Sequence, residues 1–428
     1  MSRYQHSEEL LTRALQTIPL GSQTFSKSKT QFPEGASPFF LEKGKGSKVW
    51  DVDGNEYIDF MNGLLCVSIG YADDEVNNAV CTQIQNGTSF SLPHRLEMEV
   101  AEKLVEMIPC AEKVRFGKNG TDATSGAIRL ARAYTNKEMI LVCGYHGWQD
   151  WYIGSTSRNL GVPESTRALT KTFVYNDIES LKRLTALYKG KVAAIIMEPM
   201  NVEFPNPGYL ESVQQIAKEE GIVFIFDETI TGCRFAKGGA QELFNITPDL
   251  ATFGKGLANG FPLSAVVGKS EIMDLMEDIF FSGTFAGETA SLAAAKVVLE
   301  KVEKLDTPTA LRKTGEYLLT NLNKLIIDLE CQSFLKTAGH PSWSFLMIQD
   351  TEPYSSFEIK TLFMQEVLQR GILTFGTHNI SYSHSVEDID TLLSCYKQVF
   401  PILKEAIETQ TVKEKLNCKV LQPLFKVR

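Results

Sequence analysis

The sequence predicts an α/β protein: a large domain on a mainly parallel central sheet, with a smaller α+β domain beside it. Two observations carry this. Short apolar runs of strand length at 139–143, 192–197 and 222–226 alternate with stretches of helical periodicity at 96–107, 121–134 and 210–220. That alternation is the mark of parallel strands joined by crossover helices that cover both sheet faces. The chain also has 428 residues, more than one hydrophobic core organises, so two or three domains are expected.

Along the chain, residues 1–15 read as an amphipathic helix, with Arg3, Glu8, Glu9 and Arg13 among leucines, and not as a signal peptide, which needs an unbroken apolar stretch. Residues 49–60 carry an Asp53-Gly54 turn between alternating apolar positions, the pattern of a hairpin. The helix–strand alternation starts near residue 95. Residues 150–171, rich in Gly and Ser with little periodicity, read as a long irregular excursion of the kind that forms lids. An Ala-rich helix at 286–304 leads into a last segment that mixes helices with strands such as 344–348. The expected division is 1–60, an N-terminal segment joining the small domain; 61–305, the large domain; and 306–428, the C-terminal small domain.

Bulk chemistry excludes several functions. With 43 Lys+Arg against 52 Asp+Glu, the formal charge is -9, a poor match for nucleic acid or anionic membranes. No apolar run reaches the roughly 18 residues of a membrane span. The eight cysteines are scattered, without CxxC pairs, which argues against a disulfide framework or a metal site and suits a reducing, cytoplasmic setting. Cys233 reads as a small buried side chain.

Chemistry concentrates in four places. Asn119-Gly120-Thr121 follows a strand at 114–116 and opens a helix; the exposed first-turn N–H groups can bind phosphate, although such residues also serve as plain caps. Tyr145-His146-Gly147 follows the strand at 139–143. Its aromatic ring either stacks on a flat cofactor or plugs the sheet edge, and His146 reads as a hydrogen-bonded support. Asp227 ends the apolar run Phe224-Ile225-Phe226; a carboxylate there needs a partner, which a protonated pyridine nitrogen would provide. Lys255 sits between Gly254 and Gly256 in an apolar setting that would desolvate its amine and free it to attack a carbonyl. A lysine to form an imine and an aspartate to hold a pyridinium are the two groups that pyridoxal 5′-phosphate (PLP) chemistry needs. Ser282-Gly283-Thr284 is a further Gly-bracketed hydroxyl run.

In this order, and through Glu198-Pro199, Thr247-Pro248-Asp249-Leu250 and Gly283-Thr284-Phe285, the chain resembles the class III aminotransferases of PLP fold type I, and among them the glutamate-1-semialdehyde 2,1-aminomutases. The resemblance spans nearly the whole chain. It implies a small domain made from both chain ends, a catalytic Lys255 with Asp227 on the pyridinium, and Tyr145 on one ring face. It further implies Asn119, Gly120 and Thr121 as a phosphate cup, Thr229 where valine is usual on the other ring face, and Thr284 reaching the phosphate of a neighbouring subunit in a homodimer. His146 joins the cofactor contacts.

The substrate side departs from the aminomutases. Lys27 stands in place of a carboxylate-binding arginine, Glu203 in place of asparagine, and the segment around His378 lacks a glutamate. Lysine gives a point charge and not a planar fork. These three are candidate substrate contacts. The expected function is transfer of an amino group from an amino acid to a carbonyl acceptor, such as a keto-sugar or similar polar intermediate. The alternatives are the aminomutase reaction leading to 5-aminolevulinate and, from another class, an inactive PLP-fold binding module.

Overall fold

The structure is a computed structural model and describes residues 3–422. The described residues divide into two compact units: 3–73 together with 310–422, and Asp74–Thr309.

The Asp74–Thr309 unit is built on a seven-stranded sheet ordered Lys113–Gly117, Ser264–Gly268, Leu250–Phe253, Val223–Asp227, Val192–Met197, Met139–Cys143, Thr170–Thr172. Ser264–Gly268 runs antiparallel to both its neighbours; the other pairings are parallel. The central strands are buried at every position, which is why they read in sequence as unbroken apolar runs and not as alternation.

Helix Gly120–Thr135 shows how the covering layer is specified. Asp122 Oδ2 accepts the backbone N–H groups of Lys118 at 3.0 Å and Asn119 at 2.7 Å. Asn136 ends the helix in the left-handed region at φ 52°, a conformation asparagine tolerates well. Its buried face is dominated by small residues, including Ala123, Gly126, Ala127 and Ala131, so the helix lies close on the sheet.

The stretch expected to be irregular is partly ordered. It holds the short helices Asp150–Ile153 and Glu164–Ala168. Trp151 Nε1 donates to Ser125 Oγ at 2.9 Å and Tyr152 OH to the Gly144 carbonyl at 2.8 Å. These two buried rings pin the beginning of the segment, so it is not a lid along its whole length.

The other unit joins both ends of the chain. Lys48–Asp51 and Glu56–Asp59 form the expected hairpin, flanked by Leu41–Lys45 and by Ile372–Leu373, which pairs parallel to Glu56–Asp59. A second antiparallel sheet comprises Leu335–His340, Trp343–Ile348 and Thr377–Asn379. Their core includes Tyr57, Phe60, Leu362, Phe363, Tyr396 and Phe400, each fully buried. Among the described residues, no helix is long and apolar enough to cross a membrane.

Candidate active site

The parallel strands bring several loops to one rim, beyond their C-terminal ends, where open α/β sheets bind ligands. Asp227 ends its strand there, 5% exposed. Its Oδ1 accepts hydrogen bonds from Thr229 Oγ1 at 2.6 Å, Thr229 N at 3.1 Å and Thr252 Oγ1 at 3.1 Å. Its Oδ2 lies 2.9 Å from His146 Nδ1. Burial alone would raise the pKa of this carboxyl, but the hydrogen bonds from His146 and Thr229 outweigh it and hold the group below the ordinary aspartate value.

The next residue behaves oppositely. Glu228 accepts from Thr231 Oγ1 at 2.7 Å, Ala240 N at 2.6 Å and Gln241 N at 3.1 Å. Burial prevails over these contacts, and its carboxyl is pushed above the usual range. Strand alternation sends the two acids to opposite faces, so Glu228 anchors the Ala240–Phe244 helix while Asp227 faces the rim. Cys233 is buried and its thiol is pushed up to about 12 by burial and the nearby Glu228, which makes it a packing residue.

Gly144 and Gly147 bracket the aromatic loop at φ 105° and 106°. A side chain at the first would strike the Glu198 carboxylate, and at the second Thr121. Only glycine lets the loop lie this close. Tyr145 N donates to Glu198 Oε2 at 2.9 Å. The Tyr145 ring rests edge-on against Tyr152 at 5.7 Å and remains 37% exposed. His146 is buried; its Nε2 is 3.2 Å from the Cys143 carbonyl, and its ring stacks on Trp151. Both ring nitrogens of His146, a residue expected among the cofactor contacts, are engaged by Asp227 and the Cys143 carbonyl.

Asn119, Gly120 and Thr121 open the helix, whose first N–H groups have no carbonyl a turn earlier to bond. Thr121 is buried, and its Oγ1 has no hydrogen-bond partner among the described residues. A Cβ on Gly120 would lie 3.1 Å from the Thr229 methyl, and one on Gly254 would lie 3.3 Å from that methyl and 3.8 Å from the Gly120 Cα. The helix start, Thr229 and the Gly254-Lys255 turn therefore converge.

Lys255 reaches this point through sheet register. Thr252 lies opposite Asp227 in the parallel pairing, and the chain leaves that strand through extended Gly254 into Lys255, which adopts φ 42° and begins a short turn. A non-glycine residue in this region costs on the order of 1–3 kcal/mol, and such strain collects at functional sites.

Beside Gly144 and Glu198 opens a cavity of about 550 Å³, with Tyr152, Phe173 and Tyr175 in its walls and Asn201 and the exposed Glu203 at its polar side. Thr284 is exposed in the loop before helix Thr289–Leu305. Lys27 and His378 belong to the other unit. Lys27 is exposed at the end of the Phe25–Lys27 turn. His378 corrects an expectation. Its ring is fully buried, with Nδ1 3.1 Å from Ser344 Oγ and Nε2 2.9 Å from Tyr396 OH, and burial lowers its pKa to about 3. It is a neutral core residue and not a substrate contact. Thr252 and Tyr152, which support Asp227 and Tyr145, were missed. Parallel register reveals the first and the ordered 150–153 helix the second, and neither is written in a local motif.

Comparison with known proteins gives consistent results. The sequence profile of the family described as aminotransferase class-III matches residues 31–383. The 3-aminobutyryl-CoA aminotransferase of Cloacimonas acidaminovorans is 34% identical over 411 residues, covering 94% of this chain and 98% of that protein. A glutamate-1-semialdehyde 2,1-aminomutase of Syntrophomonas wolfei subsp. wolfei is 35% identical over 425 residues, covering 91% and 96%. Among solved structures, the PLP internal aldimine form of the FumI protein of Sphingopyxis sp. MTA144 superposes with a TM-score of 0.88 at 26% identity, covering 96% of this chain and 100% of that one.

Proposed function

This chain belongs to the class-III aminotransferase family, a PLP-dependent enzyme family, and from that premise we propose that it moves an amino group from an amino acid donor to the carbonyl of a larger polar acceptor. Family membership makes the inactive-module alternative unnecessary. The observation that carries the reading is the convergence of an anionic Asp227, an unpartnered Thr121 hydroxyl at a helix start and the strained Lys255 turn.

The residues present fit the cofactor. The Thr121 hydroxyl and the first-turn N–H groups, with Asn119 and Gly120, would take its phosphate. A Cβ at Gly120 or Gly254 would crowd the Thr229 methyl, so the two glycines let the helix start and the Lys255 turn approach each other. Bound there, PLP supplies an aldehyde that captures amines and a ring that accepts electrons. Asp227 would keep a proton on the ring nitrogen, because a carboxylate held below its ordinary pKa favours a cationic partner. His146 and Thr252 would fix the angle of that carboxylate. Tyr145 would cover one ring face, and Thr229 would lie at the other. Lys255 Nζ would take a proton from the substrate carbon and return it at the cofactor carbon.

The cavity beside Gly144 is lined by none of Asp227, Thr229 or Lys255, and we read it as the neighbouring space in which a bulky acceptor would extend. Among the described residues, its lining includes two carboxylates, Glu198 and Glu203, and no Lys or Arg. Such walls suit hydroxyl or amine groups better than a second carboxylate, which favours an aminated or hydroxylated carbonyl compound such as a keto-sugar. The aminomutase reaction is the second reading, supported by the 35% identity to the S. wolfei enzyme. A transaminase is as similar at 34%, so identity does not choose between them. Single-turnover screening does: protein loaded with the aminated cofactor should regain its visible spectrum with polyhydroxylated ketones or aldehydes. Formation of 5-aminolevulinate from glutamate semialdehyde with the cofactor returned to its aminated form, and no spectral recovery with any other carbonyl, would replace the first reading with the second.

A homodimer with a shared site belongs to the same reading. Phe280 is 84% and Phe285 59% exposed on either side of Thr284, an unusual cost for a monomer surface. We expect sedimentation at twice the chain mass, and weaker cofactor retention in Thr284→Ala. A fully active monomer would overturn this. A cytoplasmic location accords with eight free cysteines.

A further inference from the structure

The unit formed by both chain ends holds a second cavity, of about 400 Å³, within the size range of about 300–1,000 Å³ typical of small-molecule sites. Its walls include Phe345, Ile348, Phe357, Phe375 and Leu421. Among the described residues that line it, Lys360 is the only ionisable one.

Lys360 lies within helix Ser356–Gln369. A lysine there normally extends its amine into water or towards an acid. Its amine instead lies 6.0 Å from the Phe375 ring centre. It forms no ion pair or hydrogen bond with the described residues, and desolvation alone lowers its pKa. A second polar group is also left over. Thr377 lines the same cavity, and its buried Oγ1 has no hydrogen-bond partner among the described residues. Buried polar atoms are rarely left unsatisfied, and each such exception calls for a partner. A cation without an anion, a hydroxyl without a partner and aromatic walls define a complementary ligand.

We propose that this cavity binds an amphipathic anion, a carboxylate on an apolar chain or ring, with the Lys360 ammonium as charge partner and the Thr377 hydroxyl as hydrogen-bond donor. The site lies wholly in the unit that does not carry Asp227 and Lys255, and it does not depend on the identity of the amino acceptor.

The test is calorimetric titration of the cofactor-loaded protein with decanoate and with decanol. Decanoate should bind in one-to-one ratio. Lys360→Met, which keeps the length and removes the charge, should weaken binding about 10–100-fold, the range for a lost charged hydrogen bond. Lys360→Arg should retain most of the affinity, and Thr377→Val should lose part of it. Removing a half-buried charge that has no ion pair among the described residues should leave Lys360→Met at least as heat-stable as the parent, so the variant remains testable. Equal affinity of Lys360→Met and parent for decanoate, equal affinity of the parent for decanol and decanoate, or a complex with the carboxylate seated elsewhere would each overturn the proposal.

Discussion

Lys255→Ala is expected to lose turnover by at least about 10³-fold in kcat/KM, within the 10²–10⁴ that general acid–base transfer alone contributes, with covalent capture lost in addition. The reason is positional. Register pairs Thr252 with Asp227, and the turn through Gly254 brings Lys255 beside the Gly120 loop. Alanine keeps the backbone and removes only the amine. The cofactor should therefore still bind, held by the helix start and Asp227, but without a covalent link. Borohydride reduction followed by peptide mapping checks this, with label on Lys255 in the parent and none in the variant. Undiminished turnover in Lys255→Ala would remove the central residue from the mechanism.

Asp227→Asn is the second large effect, with an expected loss of about 10²–10³ in kcat, the range for removing one preorganised electrostatic contact. The amide has the same shape, and its oxygen can still accept from Thr229 and Thr252, so the site should stay assembled. What disappears is the negative charge that would hold a proton on a ring nitrogen. Substrate KM should change little, because the missing interaction strengthens only as charge develops. Near-normal kcat would show that Asp227 has no part in the chemistry.

The same substitution has a pH signature in stability. The folded-state pKa of Asp227 is depressed. Its stabilising contribution is therefore fully present above the unfolded aspartate value of about 4 and is lost as pH falls through the lower folded value. Urea denaturation of parent and Asp227→Asn should show the difference between them shifting against the parent below about pH 4. A difference that is flat across that interval would contradict the depressed pKa.

Much of the fold and site was legible because it is written locally. The interior of a fully buried parallel strand is apolar, so these strands appeared as unbroken runs at 139–143, 192–197 and 222–226. Asp227 and Lys255 were visible because charged groups are costly in such company. His378 misled because a histidine in a loop-like segment looks available. Only the packing of Trp343–Ile348 and helix Val386–Glu408 around it supplies Ser344 and Tyr396 as partners. Residues 150–171 looked irregular because their order comes from contacts made elsewhere in the unit, such as Trp151 with Ser125.

Residue type and periodicity by themselves determined the strand-and-helix alternation, the glycines where backbones crowd, and the acid and amine to which we assign the chemistry, because each is a short-range requirement of burial or conformation. Tertiary structure alone decided that Thr252 and His146 hold Asp227, that His378 is sealed in a core, and that Lys360 and Thr377 face a common cavity. Those relations depend on strand register and helix packing between segments far apart in the chain, and no local pattern encodes them.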